Sequence, residues 1–189
     1  TPDILPEHLQ YGGRPAFILR LILAATLSSN YGIYGPAFEL CAVESIPDKE
    51  EYNNSEKYEI KNWDRNKEGN LRGLIELVNK IRWLNPALQQ TKNIKFCYID
   101  NNYLLSYYKT DKDMNNIILV VVNMDPYHTQ IGNIHIPVNE FGIDNDQTYF
   151  AHDLLSGDTY CWTGSINYIE LNPQRSPAHI CSIKKCIES

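Results

Sequence analysis

Hydrophobic positions change period partway along this chain. Up to about residue 90 they recur with the spacing of helices, and beyond it they fall into short β-rich runs divided by turn residues. Residues 16–27, AFILRLILAATL, are apolar on nearly every face, which predicts a helix packed on several sides, with more apolar surface than two short elements cover. Residues 31–40 combine an apolar core with glycines and predict a short buried strand that ends in a loop at Gly35-Pro36. Leu71, Leu74, Ile75, Val78, Ile81 and Leu84 then recur at helical spacing, and Asn85-Pro86 stops that helix. The order helix, strand, loop, helix suits an α/β assembly.

Past Asn93 the patterning predicts strands over 94–99, 103–109, 117–124, 132–136, 148–155, 159–162, 168–171 and 179–183. Asp100-Asn101-Asn102 and Ser156-Gly157-Asp158 are tight connections that predict hairpins. Eight strands at this spacing indicate an antiparallel sandwich with its own core. Two units are therefore expected, residues 1–90 and residues 91–189.

Composition narrows the class. With 189 residues, 43% of them hydrophobic and 21% charged, the chain can bury a core, and a net charge of −6 gives no polycationic face for nucleic acid. The longest apolar stretch, residues 15–27, is 13 residues long and is interrupted by Arg20, short of the roughly 20 needed to cross a bilayer. No membrane partner is expected. Five cysteines, an odd number without a Cys-x-x-Cys pair, read as buried free thiols in a reducing compartment. Cys181 and Cys186 offer a pairing or a metal site as alternatives, but no four-ligand zinc spacing accompanies them, so no metal is expected. The chain starts at Thr1 without a methionine or a visible signal peptide, as a fragment would.

Few residues advertise chemistry by spacing. His8, His128, His135, His152 and His179 are scattered and compose no His-carboxylate or His-Cys triad. Arg14, between Gly13 and Pro15, suits either a phosphate or a loop carboxylate that it anchors. Glu39 closes the strand-like run, where it would reach a catalytic face or bond a neighbouring loop. Tyr107, Tyr108, Tyr160 and Trp162 suit a glycan-stacking platform, although alternating aromatics in strands commonly pack as core or cross-strand pairs.

A specific resemblance is carried by Thr1-Pro2-Asp3-Ile4-Leu5, Gly12-Gly13-Arg14-Pro15-Ala16-Phe17, residues 31–40 and Ser55-Glu56-Lys57-Tyr58-Glu59, with Asn85-Pro86-Ala87-Leu88 and Asp153-Leu154-Leu155-Ser156-Gly157 extending it over nearly the whole chain. Together they resemble the α-1,4-glucan:maltose-1-phosphate maltosyltransferases of the α-amylase superfamily. The resemblance implies the C-terminal segment of a (β/α)8 barrel followed by an antiparallel β-sandwich. It places the nucleophilic aspartate and the general acid on earlier barrel strands, outside this chain, so the isolated chain is expected to be inactive.

The same resemblance assigns Asp3 to stabilising the transition state. An ionised carboxylate accepting hydrogen bonds from sugar hydroxyls binds more tightly as the ring becomes an oxocarbenium-like cation. Pro2 precedes it where typical amylases have histidine, which disfavours ordinary amylase activity. Lys57 and Tyr58 match the pair that lines the family's donor-sugar pocket. Read without the resemblance, Asp3 is a cap or turn residue and Lys57 a solvated charge. The implied partners are α-maltose 1-phosphate and α-1,4-glucan, with no cofactor, a cytoplasmic location and a homodimer. The alternatives are a structural or glycan-binding β-sandwich module with a barrel remnant, or another glycoside hydrolase of the superfamily.

Overall fold

The structure, a computed structural model, describes residues 4–186. Three helices come first: α1 (Glu7–Leu27), α2 (Gly35–Glu39) and α3 (Arg72–Leu84), followed by a 3-10 turn over Pro86–Gln89. Eight strands follow: β1 (Ile94–Phe96), β2 (Leu104–Thr110), β3 (Ile117–Asn123), β4 (Gln130–His135), β5 (Thr148–Asp153), β6 (Thr159–Thr163), β7 (Ile166–Leu171) and β8 (Ala178–Lys185). All eight expected strands are present. Among the described residues, no helix is long and apolar enough to cross a membrane.

The helix expected over 16–27 begins earlier, at Glu7, and is broken at Gly13, whose φ of 57° and ψ of −158° lie outside the helical region. Gly12 adds a close approach, since a Cβ there would lie 2.6 Å from the Ala16 Cβ. Pro15 sits just past the break, where the absence of its N–H interrupts nothing.

The strand expected to end in a loop at Gly35-Pro36 does not form. Residues 31–34 have no regular structure and α2 occupies Gly35–Glu39, with proline in its first turn. Pro36 has no N–H to give a sheet ladder and a φ already suited to a helix start, so the apolar run closes into a turn of helix.

The strands form an antiparallel six-stranded sheet in the order β1-β2-β3-β8-β5-β6 and a two-stranded sheet, β4-β7. The expected hairpins join β1 to β2 and β5 to β6. Strand β3, IILVVVN, is buried along its whole length, because both faces of the large sheet are covered. On one face Tyr107, Ile118, Val120, Val122, Ala178 and Ile180 pack with α1 and α3. On the other, Leu119, Val121, Tyr149 and Cys181 pack with β4, β7 and the 3-10 turn Val138–Phe141.

Helix α1 is packed on several sides, as its apolar faces predict. Phe17, Leu19, Leu21, Ile22 and Ala25 are all buried, because the sheet face covers what α3 leaves open. The thiols depart from expectation: all five are free, but only Cys181 is buried, Cys41 and Cys97 are half-buried, and Cys161 and Cys186 are exposed.

Candidate functional site

The segment that leads from Asp3 is tied to the arm that leads to Lys57 and Tyr58. Ile4 makes an antiparallel bridge with Glu51, Leu5 donates its N–H to the Glu50 carbonyl at 2.9 Å, and Tyr52 bridges Ser45. Gln10 reinforces the junction from α1: its Nε2 donates to the Leu5 and Lys49 carbonyls at 2.8 and 3.1 Å, and its Oε1 accepts from Ser45 Oγ at 2.7 Å. Asp3 itself lies outside the described residues.

Beyond Tyr52 the chain turns about Ser55, which is buried and whose carbonyl accepts the N–H groups of Tyr58 and Glu59 at 2.9 and 3.2 Å. That turn presents Lys57 and Tyr58 side by side, the ammonium 5.1 Å from the centre of the tyrosine ring. Both residues are exposed, Tyr58 at 74%. The loop is closed by Trp63 Nε1 donating to Glu56 Oε1 at 3.1 Å and by Lys61 Nζ donating to the Asn53 carbonyl at 3.2 Å. A lysine offers up to three donors, and the tyrosine adds a ring face and a hydroxyl, the complement of a sugar unit.

Arg14 anchors a loop through a backbone carbonyl: its Nε donates to Gly69 O at 3.0 Å. Glu39 ends α2 instead of a strand, and its own carbonyl accepts the Leu71 N–H at 2.7 Å. Tyr107 and Tyr108 are core residues, whereas Tyr160 and Trp162 are half-buried and line an open groove.

One constellation escapes sequence reasoning. Buried Asp153 on β5 and partly buried His179 on β8 form a pair with Nδ1 to Oδ2 at 2.8 Å. Ser156 Oγ also donates to Oδ2, at 3.0 Å, and the Leu155 and Ile180 N–H groups donate to Oδ1 at 3.1 Å. Burial works against the ionised carboxylate, yet the bond to His179 and the two backbone donors hold the carboxyl below its ordinary range. Serine and histidine both bond the aspartate and not each other, so the nucleophile–base contact of a hydrolytic triad is lacking. No local motif announces the pair, because it depends on the pairing of Asp153 with Cys181 across β5 and β8.

Comparison with known proteins accords with this layout. Residues 96–183 match the family described as GLGE, C-terminal. The α-1,4-glucan:maltose-1-phosphate maltosyltransferase of Chlorobaculum tepidum is 52% identical over 186 residues, covering 95% of this chain and 28% of that protein. The enzyme of the same name from Rhodospirillum rubrum is 51% identical over 183 residues, covering 97% of this chain and 26% of its own length. The chain thus spans little more than a quarter of these relatives. Among solved structures, an Anoxybacillus α-amylase superposes with a TM-score of 0.63 at 14% identity, over 93% of this chain and 33% of that one. A maltogenic α-amylase from Thermotoga neapolitana does so with a TM-score of 0.60 at 15% identity, over 94% of this chain and 37% of that one. At such identities the likeness is one of fold: the end of an α-amylase-type barrel followed by an antiparallel β-sandwich. By its close relatives, this chain belongs to the α-1,4-glucan:maltose-1-phosphate maltosyltransferase family, of which it represents the C-terminal region.

Proposed function

We propose that the chain is the C-terminal portion of an enzyme that moves maltosyl units from α-maltose 1-phosphate to the non-reducing end of an α-1,4-glucan, with retention of configuration and release of phosphate. Residues 1–90 complete the catalytic barrel and residues 91–189 form the sandwich. In such a transfer an enzyme carboxylate displaces phosphate from the anomeric carbon, and an acceptor hydroxyl then displaces the carboxylate. The nucleophilic carboxylate, and the general acid/base that takes the proton of the acceptor hydroxyl, belong to barrel strands upstream of this chain. Asp3 receives hydrogen bonds from hydroxyls of the transferred sugar, and these tighten as positive charge develops on the ring. Lys57 and Tyr58 hold the neighbouring glucose unit of the donor.

The observation that carries this reading, in a chain of this family, is the bridge between Ile4 and Glu51. It sets the residue after Asp3 against the arm that runs into Lys57 and Tyr58, so that one donor could meet all three. The free thiols suit a cytoplasmic enzyme. No cofactor takes part, and the working form is a homodimer, to be checked by light scattering. The deciding experiment is a phosphate-release assay with α-maltose 1-phosphate and a malto-oligosaccharide acceptor. The full-length polypeptide carrying this chain turns over, and residues 1–189 alone do not; turnover by the isolated chain, or none by the full-length polypeptide, overturns the reading.

A further inference from the structure

We propose that the groove along β6 and β7 is a carbohydrate-binding site that takes a segment of linear α-1,4-glucan. The groove measures about 730 Å³, within the range of about 300–1,000 Å³ typical of small-ligand sites. None of its lining residues belongs to the Lys57–Tyr58 loop. Its wall carries Tyr160 and Trp162, two residues apart on the same face of β6, with rings inclined by only 20° and centroids 6.1 Å apart. The two ring planes are thus nearly parallel, and both residues line the groove. Trp162 also meets its buried cross-strand partner Tyr149 edge-on at 6.2 Å, a contact that helps to hold its plane.

The polar part of the wall is built as well. His179 lines the groove and packs edge-on against Tyr160 at 5.5 Å, while its Nδ1 is held by the fully buried carboxylate of Asp153. Because Nδ1 is taken by that carboxylate, Nε2 is the ring nitrogen left for a ligand. Asp153 has both oxygens engaged by four donors, so it positions the imidazole and the Ser156 turn and leaves recognition to its neighbours. Around the opening, Asp158 and Glu170 stand with Arg175, so the rim carries both signs of charge.

These features select a ligand. A strongly charged molecule meets like charge somewhere on this rim, and a purely apolar one leaves the charged groups stripped of water without partners. A neutral molecule with flat apolar faces and a fringe of hydroxyls, each both donor and acceptor, satisfies every part of the wall. A glucosyl chain has that form, and the choice of the α-1,4 linkage rests on the proposed function, since a long acceptor gains by being held at a second point along its length.

The test is titration calorimetry of maltoheptaose into residues 1–189, with cellohexaose as the β-linked comparison. Saturable binding of maltoheptaose is expected, weakened roughly tenfold or more by Trp162→Ala, largely kept by Trp162→Phe, and weakened several-fold by Arg175→Ala, which alters only an exposed side chain. Absence of binding, or unchanged binding in both alanine variants, overturns the proposal, and equal binding of cellohexaose overturns the linkage it names. The phosphate-release assay separates the two readings. Binding without turnover by the full-length polypeptide sinks the transferase alone, and turnover without binding here sinks the groove alone.

Discussion

The ammonium of Lys109, on β2, donates to the carbonyl of Thr26 in the last turn of α1 at 3.1 Å, and it reaches the Gln90 carbonyl as well. It is fully buried. Helix α1 has no basic residue of its own in that turn, so its terminal carbonyls take donors from elsewhere. Arg82, on α3, supplies the others, bonding the carbonyls of Ala25, Ser28 and Ser29. Two cations at one helix C-terminus suit the negative end of its dipole; Arg82 ties α1 to α3, and Lys109 ties α1 to the sandwich. Tyr107 adds a third tie: Thr26 Oγ1 gives its proton to the Ile22 carbonyl at 2.6 Å, so the Tyr107 hydroxyl donates to Thr26 at 2.5 Å.

Replacing Lys109 by methionine should therefore destabilise the chain by about 1–3 kcal/mol at pH 7, because two buried carbonyls lose their donor. Burial first, and then the Arg82 charge, pull the lysine pKa down to about 8 from 10.5. Between those values the unfolded chain binds the extra proton, so the lysine's contribution rises with pH, at most by about 1.4 kcal/mol per unit. Urea denaturation of both proteins at pH 7.5 and pH 9.5 checks this: the gap between them should widen at the higher pH, and a constant gap would refute it.

Asp153→Asn should cost about 3 kcal/mol at neutral pH, since a buried carboxylate with four donors gives way to an amide whose NH2 faces His179 or the two backbone N–H groups. The folded pKa lies below the ordinary 3.8, so the stabilisation is present above that value and is lost as pH falls through the folded pKa. Acid titrations followed by circular dichroism should show wild type and variant converging below pH 3.8.

Gly13→Ala should lower stability by about 1–3 kcal/mol, because φ of +57° with ψ of −158° is open to glycine and strained for any residue with a Cβ. Thermal unfolding measures it. No loss would mean that the break in α1 can move.

Thiol labelling should distinguish the cysteines. Burial pushes the Cys41 thiol up to about 11 and that of Cys97 up to about 12, and raises that of Cys181 too. Exposed Cys161 and Cys186 should react first with a chromogenic disulfide reagent, and the other three only on unfolding. Early labelling of Cys97 would contradict the packing described.

In the full-length polypeptide, Asp3→Ala should lower kcat by several kcal/mol of lost transition-state stabilisation, of the order found for charge-stabilising groups, roughly 3–4. Lys57→Ala should raise KM for the donor with a smaller change in kcat. Steady-state kinetics that found the reverse pattern would reassign both residues.

Much of this protein is legible in its order of residues alone. Each strand was marked by a short run of β-forming residues between turn residues, and α3 by apolar positions three and four apart, because those periods follow from backbone geometry. The landmark segments placed the chain in its family, and with it Asp3, Lys57 and Tyr58, by likeness and not by chemistry visible in their neighbours. Where local pattern was ambiguous, the third dimension decided. The run over 31–40 is apolar enough for a buried strand, yet it pairs with no strand among the described residues, and from Gly35 on, where a loop was expected, it turns into α2 with Pro36 in its first turn. The apolar faces of helix α1 announce packing on several sides but not what supplies it, because the face of β2, β3 and β8 arrives some eighty or more residues later. The Asp153–His179 pair, the two cations at the end of α1 and the wall of the groove share that property. Each joins groups from distant parts of the chain through sheet register and packing, and such long-range pairings leave no periodic trace in sequence.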